Sequence, residues 1–540
     1  MNKARGLLLV LSVLGLQACD TKKEIGSSRL THADNSWYQQ SAAQVEAHHE
    51  MIKKLSAKPG SAKNIILFVG DGMSISTITA ARILAGQKMG LSGEENSLSF
   101  GLFPFTGLVK TYNVNAQTPD SAGTMTAIIS GVKTDFGVVG IDEDVVYGDC
   151  STQAGNELVT ALELAEIAGL ATGIVTTARI THATPAATYA KSADRNWEDI
   201  SDMPEEALAK GCEDIASQLV NFETNLEARH EGADIDGIEV MMGGGRRHFL
   251  PTETTADSES AGDRTDGRNL VAEWQAKYPA GTYVEGQRGF DQIALDTGGP
   301  LLALFANSHM RYEADRNNTA NGGVSGEPSL TEMTSTAIDL LDNNPKGFFL
   351  MVESGRIDHG HHAGSAFIAL TDTVEFSRAI QAAVDRTDVA ETLIIVTADH
   401  GHVFTMAGYP KRGNPILGKV VDVGTNELAK DANGLPYTTL GYANGPGFHD
   451  FGDETNADMV YSAKPFDGRT DLSAVDTQSP GFHQETLIPK SDETHSGEDV
   501  AIYASGAGAY LVSGTQEQSA IFHIMNFAGG LVAKAQAAIE

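Results

Sequence analysis

Apolar, β-rich runs recur along the chain at wide intervals: 64–69 (NIILFV), 172–177 (TGIVTT), 347–352 (GFFLMV), 392–397 (TLIIVT) and 500–503 (VAIY). Such near-continuous runs are predicted to be strands buried on both faces, as in a parallel sheet covered by helices. Apolar residues at helical spacing lie between them, at 158–168 and 367–384. Strand alternating with helix predicts an α/β sandwich.

Polar residues cluster where these strands should end. Asp71, Glu353 and the pair Asp399-His400 follow three of the runs, and open α/β sheets bind ligands outside the carboxyl ends of their strands. Three stretches read as surface insertions: the acidic, turn-rich 253–268 and 314–329, and a longer Gly-, Pro- and Asn-rich segment at about 405–490. No internal repeat is visible.

The N-terminus changes the picture of where the chain works. Lys3 and Arg5 precede an apolar run at 6–16, then Leu16-Gln17-Ala18-Cys19. A basic start, a short apolar stretch and a small residue before the cut describe a signal peptide at 1–18; the run is too short to span a membrane. Leu16, Ala18 and Cys19 also resemble a bacterial lipoprotein box. Cys19 is therefore expected to be lipidated, with simple secretion as the alternative, and either route exports the chain, to the periplasm or the cell surface. Residues 20–60 read as a tether and N-terminal arm ahead of a globular domain at 61–540. The two remaining cysteines, Cys150 and Cys212, are read as one disulfide or as two buried thiols.

Composition excludes one class of partner. With 71 acidic and 38 basic side chains, the net charge is −33, so nucleic-acid binding by a basic surface is excluded. An anionic substrate would need local positive charge, most economically from metal ions. Residues suited to hold them are present. In Asp358-His359-Gly360-His361-His362, Asp358 and His362 share one face of a helical turn, and carboxylate plus imidazole suits zinc. Asp71, Asp399-His400 and His495 add oxygen and nitrogen donors. Taken singly each reads as a turn Asp or a surface His; their joint placement at strand ends makes them candidates.

The motifs FVGDGM (68–73), DSAGT (120–124), THATPA (181–186), GGGR (243–246), VESGRIDHGHH (352–362), TADH (397–400) and THSGED (494–499) resemble, in order, those of the alkaline phosphatases, over nearly the whole chain from about residue 63 to 535. The resemblance implies a three-layer α/β/α sandwich around a large, mostly parallel central sheet, with surface insertions. It implies hydrolysis of phosphate monoesters of broad identity through a phosphoserine on Ser121. Two zinc ions are implied, one held by Asp358, His362 and His495, the other by Asp71, Asp399, His400 and Ser121. One magnesium ion is implied at Asp71, Thr184 and Glu353, with His182 beside it, and Arg195 is implied as the phosphate clamp. It further implies a Cys150–Cys212 disulfide as in animal-type members, a homodimer, and a crown or interface loop at 405–490.

The chain departs from the enteric bacterial pattern. His182 stands where that pattern has Asp and His359 where it has Lys, which leaves the third ion open; Ser354 replaces a Gly. The calcium-site motif of animal members appears as Phe305-Ala306, so that site is not carried over. His309, His361 and His402 are expected outside the ligand sets, and Gly243-Gly244-Gly245-Arg246 is expected to be a structural loop. Competing functions are a phosphodiesterase or related superfamily hydrolase, and a metal- or phosphate-binding surface lipoprotein without turnover. A serine at 121 together with Arg195 favours monoesters.

Overall fold

In the computed structural model, residues 62–253, 261–295, 298–316, 326–455 and 468–540 are described, with Gln39, Ala43, Glu50 and Lys53 upstream. The expected leader, Cys19 and almost all of the arm lie outside the described residues. The apolar runs become strands β1 (Asn64–Gly70), β3 (Ala171–Arg179), β7 (Phe348–Ser354) and β8 (Thr392–Thr397), together with Val500–Gly506. β2 (Phe105–Lys110), β4 (Val240–Gly244), β5 (Thr282–Val284), β6 (Leu301–Leu304) and Gly514–Glu517 complete a ten-stranded sheet. Its order is Gly514–Glu517, β2, Val500–Gly506, β8, β1, β7, β3, β4, β6, β5.

β1 lies at the centre, parallel to β7 on one side and to β8 on the other. Every residue of β1, β7 and β8 is buried, which is why those runs carry no polar alternation. One strand breaks the parallel pattern: Val500–Gly506 runs antiparallel to both β2 and β8. The sheet is thus mostly parallel, as expected.

Helices cover it in two groups. Ala366–Arg386 packs on Leu330–Leu341 and Ile75–Lys88; Ser121–Ser130 packs on Ala183–Tyr189 and Ala520–Gly529, and Ala161–Ile167 on Leu531–Ile539. The helix expected at 158–168 starts later because Thr160 caps it: its hydroxyl accepts from the Glu163 amide (3.1 Å), and the Glu163 carboxylate accepts from the Thr160 amide (2.8 Å). The segment at 405–490 includes a three-stranded sheet of Phe404–Met406, Leu440–Gly445 and Thr486–Pro489. Cys150 and Cys212 are disulfide-bonded and pack against a satellite core of Val138, Ile141, Val145, Ala193, Trp197, Met203 and Ala207.

Candidate active site

Register places the acidic residues. Glu353 lies within β7, paired with Val69 of β1 and Thr176 of β3, so it ends the strand from inside where the sequence put it just beyond. Asp71 is one residue past β1 and Asp399 two past β8. Three carboxylates therefore converge at the carboxyl ends of three adjacent parallel strands. The turn after β1 needs Gly72 at φ 67°, and a Cβ there would come within 2.3 Å of His402 Nε2; only glycine supplies that dihedral and that room.

Ser121 is the first residue of Ser121–Ser130, a helix whose N-cap is Asp120. Asp120 Oδ1 accepts from the Gly123 amide (3.2 Å) and from Asn113 Nδ2 (2.8 Å), and Oδ2 pairs with Arg195 NH1 at 2.9 Å. The stretch is thus a capped helix start with Ser121 as its first residue. One carboxylate caps the helix, presents Ser121 at its positive end and aims the guanidinium. Arg195 NH2 lies 3.2 Å from His182 Nε2.

Ser121 Oγ is 3.1 Å from His400 Nε2. That contact looks like the start of a Ser–His relay, but a relay needs an acceptor behind the base, and His400 Nδ1 is buried with no partner. His400 Nε2 instead faces Asp71 Oδ1 (3.5 Å) and Asp399 Oδ2 (3.3 Å), and Asp71, Asp399 and His400 lie close enough together to hold an ion.

The neighbouring cluster is governed by backbone carbonyls. His362 Nδ1 is 2.6 Å from Glu493 O, and His495 Nδ1 is 2.8 Å from Pro119 O. A carbonyl accepts only, so both rings carry hydrogen on Nδ1 and turn the lone pair of Nε2 inward. Those two Nε2 atoms are 3.1 Å apart and face Asp358 Oδ1 at 3.3 and 3.4 Å. Asp358 Oδ1 has His402 Nε2 as a partner at 2.7 Å, but the two imidazole lone pairs face each other with no hydrogen between them, which is unfavourable unless a cation lies there.

The same holds for the buried acids. Both Asp71 oxygens, Asp399 Oδ2, Glu353 Oε1, Thr184 Oγ1 and His182 Nδ1 have no hydrogen-bond partner. Burial, then the charges of Asp399, Asp358 and Glu353, push the Asp71 carboxyl well above its usual range. Burial and the Asp399 charge lift Glu353 to about 7. Burial, with Arg195 and Arg179 nearby, lowers His182 to about 3, so its ring is neutral. Asp71, His182 and Glu353 form a further group within metal-holding distance. The donor set fits oxygen- and nitrogen-binding divalent cations, whose charge would balance this crowding.

All the predicted ligands are brought together in one region. The histidines set aside in the sequence differ in fate. His361 uses both nitrogens, on Thr77 Oγ1 (2.9 Å) and Tyr442 OH (2.8 Å). His309 Nδ1 accepts from the Arg179 amide at 3.2 Å and its ring lies 4.1 Å from that of His359. Gly244 permits this, since a Cβ there would meet Ser308 O at 2.1 Å. His402 enters the cluster, with Nε2 2.7 Å from Asp358 Oδ1. Burial would lower it, but Glu493 and Asp358 outweigh burial and raise it to about 10. His402 lies two residues past the candidate ligand His400, and that proximity is the one signal in the sequence that could have joined them. Nothing in the sequence pointed to Glu493.

Among known proteins, the family described as Alkaline phosphatase matches residues 62–531. The tissue-nonspecific alkaline phosphatase of Gallus gallus is 43% identical over 500 residues, covering 91% of this chain and 88% of that protein. The Homo sapiens isozyme is 41% identical over 526 residues, covering 96% and 92%. Among solved structures, alkaline phosphatase from Thermus thermophilus aligns with TM-score 0.58 at 25% identity, covering 90% of this chain and 97% of that one. That of the Antarctic bacterium TAB5 aligns with TM-score 0.56 at 22% identity, covering 87% and 99%, and shares the fold.

Proposed function

This chain belongs to the alkaline phosphatase family of metal-dependent phosphomonoesterases, and on that premise we propose that it hydrolyses phosphate monoesters through a phosphoserine on Ser121. The observation that carries the reading is the setting of Ser121: its Oγ lies 3.1 Å from His400 Nε2, on a helix whose cap, Asp120, also holds Arg195.

The residues divide the work. Asp358, His362 and His495 would hold one zinc ion, and Asp71, Asp399 and His400 the other with Ser121 as a further ligand. A third ion, magnesium in the reading we favour, would sit among Asp71, Thr184 and Glu353, with His182 as a nitrogen donor that magnesium sites seldom use. Bound zinc supplies a lowered pKa for the serine and for the attacking water, and charge balance for the departing oxygen. Arg195 would grip two non-bridging oxygens of the phosphoryl group with its planar fork. The positive end of the Ser121–Ser130 helix adds to the stabilisation of the same anion. Little else of the substrate is gripped, consistent with broad leaving-group tolerance.

The surrounding expectations are carried forward as part of the proposal. The leader and Cys19 would export the chain and anchor it by lipid; no helix among the described residues is long and apolar enough to cross a membrane. Exposed Tyr409 (81%), Leu487 (81%) and Ile488 (56%) on the 405–490 segment support its use in a homodimer.

The test is to incubate the protein with an aryl phosphate at acid pH, quench, and map phosphate by mass spectrometry. Label on Ser121, absent from Ser121→Ala and lost after chelation, is expected. Chelator-insensitive hydrolysis, or full activity in Ser121→Ala, refutes the assignment.

A further inference from the structure

Glu493 is 1% exposed and its carboxylate is fully engaged. Oε1 accepts from the Val403 amide at 2.8 Å, and Oε2 lies 2.5 Å from His402 Nδ1. The opposite nitrogen of His402 meets Asp358 Oδ1 at 2.7 Å. Carboxylate, imidazole and carboxylate thus form an unbroken buried chain ending on Asp358. The backbone of Glu493 reaches the second candidate ligand: its carbonyl takes the His362 Nδ1 hydrogen at 2.6 Å, and its amide donates to His362 O at 2.9 Å. The third, His495, lies two residues further on and pairs in register with His402.

We propose that Glu493 is the positioning residue of the Asp358–His362–His495 site, orienting Asp358 through His402 and His362 through its own backbone, while His495 is aimed by Pro119 O. The inference rests on the zinc reading given above. Three features distinguish this from a ligand role, although His362, His402 and Glu493 are close enough to one another to hold an ion. Both Glu493 oxygens already accept hydrogen bonds, whereas those of Asp71 accept none. Glu493 reaches Asp358 only through the His402 ring. And its two backbone groups hold the side chain and main chain of His362 together, which leaves the inward Nε2 as the only free valence of that ring. Partners of this kind orient metal ligands, and their loss weakens metal binding by about 10–100-fold.

The experiment counts zinc per chain in the holoenzyme, Glu493→Gln and Glu493→Ala after dialysis against graded zinc–chelator buffers. Melting of the metal-free proteins is followed alongside. The parent is expected to keep two zinc ions. Glu493→Ala is expected to release one of them at about 10–100-fold higher free zinc, with the other held as in the parent. Glu493→Gln, which can still accept from the Val403 amide, is expected to fall between. A merely structural role would lower metal-free melting and loosen both ions equally; that result overturns the proposal, as does unchanged retention of both. Should Glu493→Ala fail to fold, the Gln variant decides alone by the same criteria. A parent that holds no zinc overturns the function proposed above together with this inference; a parent with two ions and variants equally tight overturns this inference only.

Discussion

Replacing Cys150 and Cys212 together by Ala tests what holds Arg195, the arginine proposed to grip phosphate. The bond links residues 62 apart in sequence; the chain-entropy model gives a loop of that length about 4 kcal/mol at 25 °C. That stabilisation acts on a small lobe. Its core is the satellite cluster around Trp197, separate from the main core, and Arg195 sits in it, with its amide bonded to Gly137 O at 2.8 Å. Ser192 pairs with Val139 alongside, and the Ile215 amide donates to Trp197 O at 2.9 Å. With each 1.4 kcal/mol worth tenfold, losing the cross-link should raise the open population of this lobe by up to about a thousandfold. Native-state hydrogen exchange on the holoenzyme reads this directly. Amides of 137–145 and 192–197 should lose protection while those of β1 and β7 keep theirs, and inhibition by inorganic phosphate should weaken because Arg195 is no longer held. A loss of protection under about fivefold in the lobe, or an equal loss in the central strands, refutes the reasoning.

Arg195→Lys keeps the charge but removes the fork, one arm of which Asp120 Oδ2 fixes at 2.9 Å. Losing one hydrogen bond to a charged group, worth about 1.5–3 kcal/mol, should lower kcat/KM for an aryl phosphate by about 10–100-fold, and an unchanged value contradicts the clamp. A second prediction concerns pH, away from the metal cluster. Thr172 donates its amide to Glu239 Oε2 at 2.6 Å and its hydroxyl to Glu166 Oε1. Burial, with the Asp236 charge, raises Glu239 from 4.5 to about 8, and burial with the Glu239 charge raises Glu166. Folded pKa above unfolded means the stability is complete below about pH 4.3 and is lost as pH rises through about 8. Glu239→Gln, which keeps the acceptor for the Thr172 amide, should therefore melt higher than the parent at pH 9, with the gap closing toward pH 5; a gap independent of pH contradicts the assignment.

Much of this protein is legible in one dimension because some patterns have few physical solutions. An apolar run such as that of β1 or β8, with no polar alternation, is stable only with both faces covered, so the α/β sandwich follows. Asp358 and His362 share a helical face by spacing alone. The candidate ligands were found because the resemblance joins motifs that single residues would not support.

What the sequence left open is set by pairings between distant segments. The antiparallel strand Val500–Gly506 shows the same apolar character as its parallel neighbours, since burial on two faces does not depend on strand direction. His402 and Glu493 are separated by 91 residues, and each reads as an ordinary polar residue until the 495–496 and 401–402 segments pair. His309 approaches His359 only because Gly244 lets the backbone at Ser308 come close. The sequence by itself determined five buried strands of the sheet and, through the resemblance, the candidate ligands. The tertiary structure alone decided which nitrogen of each histidine faces inward, because that depends on carbonyls such as Pro119 O and Glu493 O, brought to the rings from far along the chain by the sheet.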